Sequence, residues 1–193
     1  FMGIKTDKLA FAEVVESSLQ GWTGQSWQWD TFPAFGSLTT IETSKRTWFG
    51  IVYGVNTGSS DPSRSPFTYQ KTEAELLAEQ PQIFEFLRTT FTCLTVGFME
   101  HEHITYQIAP EPPKIHAFIQ KSSIQLSKQF FSSCAYLPLL FANSTIMQID
   151  ELILALLSEQ KRLGVLAEDK MFKFMDSISL LTGNDYRRIK ILS

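Results

Sequence analysis

Pro110-Glu111-Pro112-Pro113 is the stretch on which the fold reading turns. Three prolines in four positions continue neither a helix nor a strand ladder, so the segment reads as a joint. Upstream, β-branched and aromatic residues stand between tight-turn residues; downstream, apolar residues recur at helical spacing. The expectation is an α+β protein, with a small β-barrel domain over residues 1–110 and a helical-bundle domain over residues 111–193.

Toward the N-terminus, Leu9–Glu16 is β-prone, with Phe11, Val14 and Val15 as expected core positions. Gly21 to Gly24 is read as a bend. Trp27 and Trp29 lie two apart, which in a strand sets both on one face. Strands are expected over Phe35–Glu42 and Trp48–Val55, with Ser44-Lys45 as a hairpin turn. Gly50 and Gly54 inside strand-like sequence point to close backbone approach or a barrel corner. Asn56–Pro66 reads as a long loop. Thr72 with Glu75 forms a capping-box pattern opening a helix to Glu79, and a second short helix is expected over Gln82–Arg88. Phe91–Met99 returns to strand, with Phe91, Cys93 and Thr95 on one face and Leu94, Val96 and Phe98 on the other. Glu100–His103 is the polar tip of a hairpin, and Ile104–Ala109 its return. About six short strands with one helical insertion favour a small barrel.

Beyond the prolines, Lys114–Ile119 is extended. Ser122 with Gln125 is a second capping-box pattern, opening a helix to Ser133, and a kink is expected near Pro138. Asp150 is read as the N-cap of a helix that Gly164 stops. A helix over Ala167–Thr182 carries an apolar stripe of Met171, Phe174, Met175, Ile178 and Leu181. Gly183 ends it, and Asn184 caps a last helix, Tyr186–Leu192, that reads as one able to continue past Ser193.

The 193 residues are 44% hydrophobic and 13% aromatic, enough for a packed core. Sixteen Phe and four Trp suit sheet faces better than a base-stacking surface. The net charge of −3 is uneven. Residues 1–109 hold seven Lys and Arg against twelve Asp and Glu; residues 110–193 hold ten against eight. An acidic barrel binds phosphate backbones poorly, so nucleic acid is the less favoured partner. Cys93 and Cys134 are too few for a disulfide framework, which points to a reduced compartment. No apolar run reaches the roughly 18 residues that span a bilayer, and Ala135–Ala142 is short and holds Pro138. Phe1-Met2-Gly3 is followed by no long apolar segment, so no signal peptide is read there. A cytoplasmic protein without membrane contact is expected.

Candidate chemistry is sparse. Gly54–Ser60 has no Lys before Ser59 and leads into Asp61-Pro62, so it lacks what a P-loop needs to grip phosphates. Glu100-His101-Glu102-His103 would set two imidazoles on one strand face; a metal needs a third ligand, and the remaining histidine is His116. The plainer reading is a solvated hairpin tip. Cys93 among Phe91, Leu94 and Val96 reads as an inert buried thiol. No Gly-x-Ser-x-Gly elbow occurs. Glu13 with Glu16, and Glu73, Glu75 and Glu79, read as solvated faces sooner than paired catalytic carboxylates. Arg187, Arg188 and Lys190 fit a helix C-terminal dipole better than a nucleic-acid patch. No catalytic, cofactor-binding or metal-binding residue is assigned, and no cofactor is expected.

Phe35-Gly36-Ser37-Leu38-Thr39-Thr40-Ile41, Phe49-Gly50-Ile51-Val52-Tyr53-Gly54-Val55, the insertion from Glu75 to Phe91, Val96-Gly97-Phe98 and Pro112-Pro113-Lys114-Ile115-His116-Ala117-Phe118 together carry a resemblance. Roughly residues 8–119 look like a HAS-barrel, the small barrel at the N-terminus of HerA-type DNA-translocating ATPases and of ATP-synthase catalytic subunits. The resemblance implies a six-stranded barrel that helps assemble a ring or larger complex. Where the ATPase core would begin, this chain continues in helices without Walker motifs, so no ATPase residue is carried over. The expectation is a non-enzymatic assembly or adaptor protein whose barrel contacts a protein partner or a second copy, perched beside a DNA-processing ATPase supplied by another chain. An open barrel edge and apolar helix stripes would serve that contact. Two alternatives stand beside it. One is a single-stranded nucleic-acid-binding barrel using Trp27, Trp29, Trp48 and Tyr53 as platforms. The other is a metal-dependent enzyme at His101 and His103.

Overall fold

Thr47–Val52 is buried at every position, and this doubly covered run is the centre of the structure. The computed structural model describes residues 9–143, 146, 148–166 and 168–183. Its strands are β1 (Ala10–Ser17), β2 (Gly21–Ser26), β3 (Leu38–Glu42), β4 (Thr47–Ser59), β5 (Leu87–Glu100), β6 (His103–Thr105) and β7 (Phe118–Lys121). Its helices are α1 (Glu73–Glu79), α2 (Ile124–Phe130), α3 (Leu137–Ala142), α4 (Ile149–Arg162) and α5 (Glu168–Leu181), with a 3-10 helix at Pro81–Phe86. The sheet runs β2-β1-β7-β3-β4-β5-β6, and β2 also pairs with β5, which closes a six-stranded antiparallel barrel. β6 extends β5 as a hairpin outside the ring. Closure removes the open edge that the barrel was expected to offer along its ring.

The sheet does not stop at the prolines. β7 lies beyond them, between β1 and β3, so barrel and helices are not divided at residue 110. Proline ends one run of ladder but leaves the chain able to return to the same sheet. Residues 106–117 cross the barrel end that carries the β1–β2, β3–β4 and β5–β6 turns. Ala109 joins the barrel core there, and Ser17 Oγ donates to the Pro113 carbonyl at 2.6 Å.

Two cores meet on the two faces of the central strands. Inside the ring are Ala12, Val14, Trp22, Ile41, Trp48, Val52, Phe91, Cys93 and Ile119. Outside it, Leu38, Phe49, Ile51, Leu94 and Val96 pack against Phe130, Tyr136, Leu137, Leu140, Leu152, Ile153, Leu156, Phe174 and Ile178 of the helices. Each fully buried Val, Leu, Ile or Phe side chain among them contributes about 1.5–3 kcal/mol. Phe49 and Phe130 rings lie 4.8 Å apart at this junction.

Bulges set the faces. The register steps from Phe49↔Gly97 to Gly50↔Thr95, leaving Val96 as an extra residue in β5. The added residue turns Phe98 toward the barrel core, against its expected place beside Leu94 and Val96. Tyr53 is the extra residue of a second bulge in β4, between Val52↔Cys93 and Gly54↔Thr92.

Other local differences have simple causes. Gly21–Gly24 is part of strand β2, because Gly24 leaves room for the Phe91 ring and Ile119, which a Cβ would approach to 2.5 and 2.6 Å. Trp27 and Trp29 lie in the turn after β2, not on a strand. Asn56–Ser59 extends β4 against Leu87–Thr90 in place of a loop. The capping residue of α2 is Ser123, whose hydroxyl accepts from Leu126 N; Pro138 starts α3 in place of kinking it; Asp150 lies in the first turn of α4 after Gln148. The Thr72–Glu75 capping box forms as read, and Gly164 ends α4 with φ +67°. Asn184, Arg187, Arg188, Lys190 and the expected last helix lie outside the described residues.

Gly50 faces Trp22 inside the ring, and a Cβ there would fall within the contact distance of the indole. Gly50→Ala is expected to lower stability by about 1–3 kcal/mol through overpacking. Urea unfolding followed by tryptophan fluorescence measures this, and an unchanged midpoint would contradict it.

Candidate functional site

The residues singled out in the sequence do not converge. Glu100 and His103 flank a two-residue hairpin turn in which His101 and Glu102 take φ of 49° and 61°. That geometry suits Asn and Gly best, and it places His101 at the turn tip instead of on a strand face with His103. His116 lies elsewhere, with Nδ1 3.4 Å from Glu13 Oε1. Among the described residues no three His, Cys, Asp or Glu side chains form a metal-sized group. Glu16 contacts Thr23, while Glu75 is spent on its capping box, which lowers its carboxyl pKa through the Thr72 backbone and hydroxyl.

Cys93 is sealed inside the barrel. Burial pushes its thiol up to about 12, only partly offset by its hydrogen bond with the Thr39 hydroxyl, so it stays protonated at neutral pH. Tyr136 is likewise raised by burial, and its hydroxyl accepts from Gln160 Nε2 at 3.2 Å within the helical core.

The aromatic residues divide in the same way. Trp48 lies in the ring core, with its indole N–H donating to the Glu111 carbonyl at 3.1 Å. Trp29 stacks on Phe84 of the insertion, and Tyr53 packs at the edge of the helical core. Trp27 alone of the four is half exposed; it meets Phe118 edge-on at 5.3 Å and donates to Glu13 Oε2 at 2.7 Å. These four side chains form no shared platform.

A groove of about 640 Å³ opens between the β2–β5 seam and α3, lined among others by Glu16, Trp22, Tyr53, Cys93, Thr95 and Leu139. Trp22 Nε1 and Thr95 Oγ1 are buried without a hydrogen-bond partner among the described residues. Among the groove's lining residues Glu16 is the one carboxylate, and the Cys93 side chain belongs to the ring core.

The densest polar cluster carries no local motif. Arg46, only 5% exposed, donates through Nε to Glu100 Oε1 at 2.7 Å and through a terminal nitrogen to Glu111 Oε1 at 3.1 Å. Its guanidinium lies 5.5 Å from the Trp48 ring and 5.3 Å from the Phe98 ring. Lys45 adds a 2.9 Å contact to Glu111. The cluster pins the proline segment and the β5 end onto the β3–β4 turn, a task for the planar guanidinium fork. Its partners lie 54 and 65 residues away, so no local spacing signals it.

Compared with models of known protein families and with curated proteins, the chain matches none. Among the described residues no helix is long and apolar enough to cross a membrane.

Arg46→Ala is expected to cost about 1–3 kcal/mol in urea unfolding, since it removes a nearly buried guanidinium and strips the partly buried Glu100 of its partner, while the exposed Glu111 keeps Lys45; Arg46→Lys should recover less than half. A neutral Arg46→Ala would show the cluster to be incidental. Glu111 has its pKa lowered, first by the Lys45 hydrogen bond and charge and then by Arg46. Its pairing therefore stabilises the fold above the ordinary Glu value of about 4.3 and is lost as pH falls through the lowered folded value. Glu111→Gln should flatten the acid limb of thermal stability against pH; an identical limb in both proteins would refute this.

Proposed function

We propose that this protein acts by holding macromolecules together, with its barrel as a contact module of the HAS-barrel kind. The observation that carries this is the insertion between β4 and β5. α1 and the 3-10 helix bury no residue, although α1 is fully specified by a capping box and Lys71 pairs with Glu79. Phe67 and Leu77 stand exposed there, and Glu73, Glu75, Glu79 and Glu85 give the insertion an acidic surface. A helix shaped by its own caps but unused in the core is suited to a partner's surface. An ATPase of the DNA-processing class, supplied by another chain, fits the resemblance of residues 8–119, and a reduced cytoplasmic setting fits the free Cys93 and Cys134.

The test is cross-linking mass spectrometry on the intact protein in its own cells, with Phe67→Ser/Leu77→Ser as the variant. Specific cross-links from residues 60–86 to one partner, reduced about tenfold or more in the variant while the melting temperature holds, are expected. A wild-type protein that migrates at single-chain mass and forms no reproducible cross-link would sink the proposal.

A second reading rests on the exposed Trp27–Phe118 pair on the outer barrel face, which would stack bases of a single strand. Glu13 beside it opposes a phosphate backbone.

A further inference from the structure

β4 is longer than the strand that covers it. β3 pairs with Thr47–Ile51, and the Val52 edge is taken by Gly36 N and the Ser37 carbonyl. From Tyr53 to Ser59, β4 pairs on one side only, with β5. Val52 directs its N–H and C=O away from β5, Tyr53 is the bulge residue, and the alternation then returns Val55 and Thr57 to the same outer edge. The 2.6 Å hydroxyl contact between Thr57 and Thr89 fits a pair that does not exchange backbone bonds, as that alternation requires. Among the described residues no hydrogen bond reaches the backbone of Val55 or Thr57 from the outer side.

This edge is unguarded. Val55, Asn56 and Thr57 are exposed, and Tyr53-Gly54-Val55-Asn56-Thr57-Gly58-Ser59 contains neither a charge nor a proline, the devices that keep strand edges apart. Alternating unpaired N–H and C=O groups are matched by an extended strand and by little else. The missing charge bears on which strand. In a two-fold pair, an edge residue near the axis faces its own copy, so one charge there would repel itself.

We propose that the outer edge of β4 pairs antiparallel with the β4 edge of a second copy of this chain, about a two-fold axis at Asn56. This rests on the reading of the protein as an association module and names the surface and the partner. Val55 faces Thr57 of the other copy, and Thr57 its Val55, giving four backbone hydrogen bonds around facing Asn56 amides. A contact of this length is small, so the dimer forms with rising concentration and not as an obligate unit.

Sedimentation velocity on the full chain tests it, from low micromolar to about 500 µM, for wild type, Asn56→Asp, Asn56→Lys and an equimolar mixture of the two variants. Thermal melting controls for folding. Wild type should dimerise with concentration, each variant about tenfold more weakly, and the mixture should recover the wild-type affinity, because opposite charges then meet at the axis. A wild type monomeric throughout, or variants that the mixture does not rescue, would overturn the pairing. A dimer unmoved by either charge would also overturn it while leaving association through another surface intact.

Discussion

The burial of β4 on both faces is the constraint from which the remaining architecture follows. One face of Thr47–Val52 supplies the ring core through Trp48 and Val52, and the other supplies the helix-facing core through Phe49 and Ile51. A strand covered twice has no solvent face, which is why its sequence reads as a continuous apolar run instead of an alternating one. It also ties the two modules together. Neither the outer sheet face nor the inner stripes of α2 to α5 would be covered without the other.

Two devices make the ring close around so many large side chains. Glycines at 24 and 50 give space to Phe91 and Trp22, so a small barrel can hold an indole and several aromatic neighbours at interior density. Bulges at Tyr53 and Val96 then re-aim the long β4–β5 pair, so that its body serves the ring while its far end runs past β3 and carries the insertion. The opposite end is covered by the proline segment, held by Arg46 between Glu100 and Glu111. The molecule is thus sealed at one end and elaborated at the other. The groups that reach out lie on the elaborated end, where capped α1, exposed Phe67 and the outer edge of β4 have no use in the core.

Much of this was legible from residues alone. The capping box at Thr72, the polar tip at Glu100–His103, the stop at Gly164 and the buried place of Cys93 are each marked by neighbours within a few positions, and the structure places each as read. The barrel itself could be read from strand-like runs and turn residues. Phe98, by contrast, was assigned the wrong face, because a one-residue bulge reverses the period of two on which such assignments rest. The Arg46 cluster and the spread of the four candidate platform aromatics were not legible, since their partners come from distant strands.

Local chemistry, written in prolines, glycines, caps and apolar spacing, determined that this chain alternates short strands with one insertion and then turns helical. Only the tertiary structure decided that a strand beyond the prolines fills the ring between β1 and β3, that helices and barrel share a wall, and that part of one strand is left uncovered. Those outcomes depend on which distant segments meet, and the free energy of such meetings lies in pairing and burial between residues that no window along the chain contains.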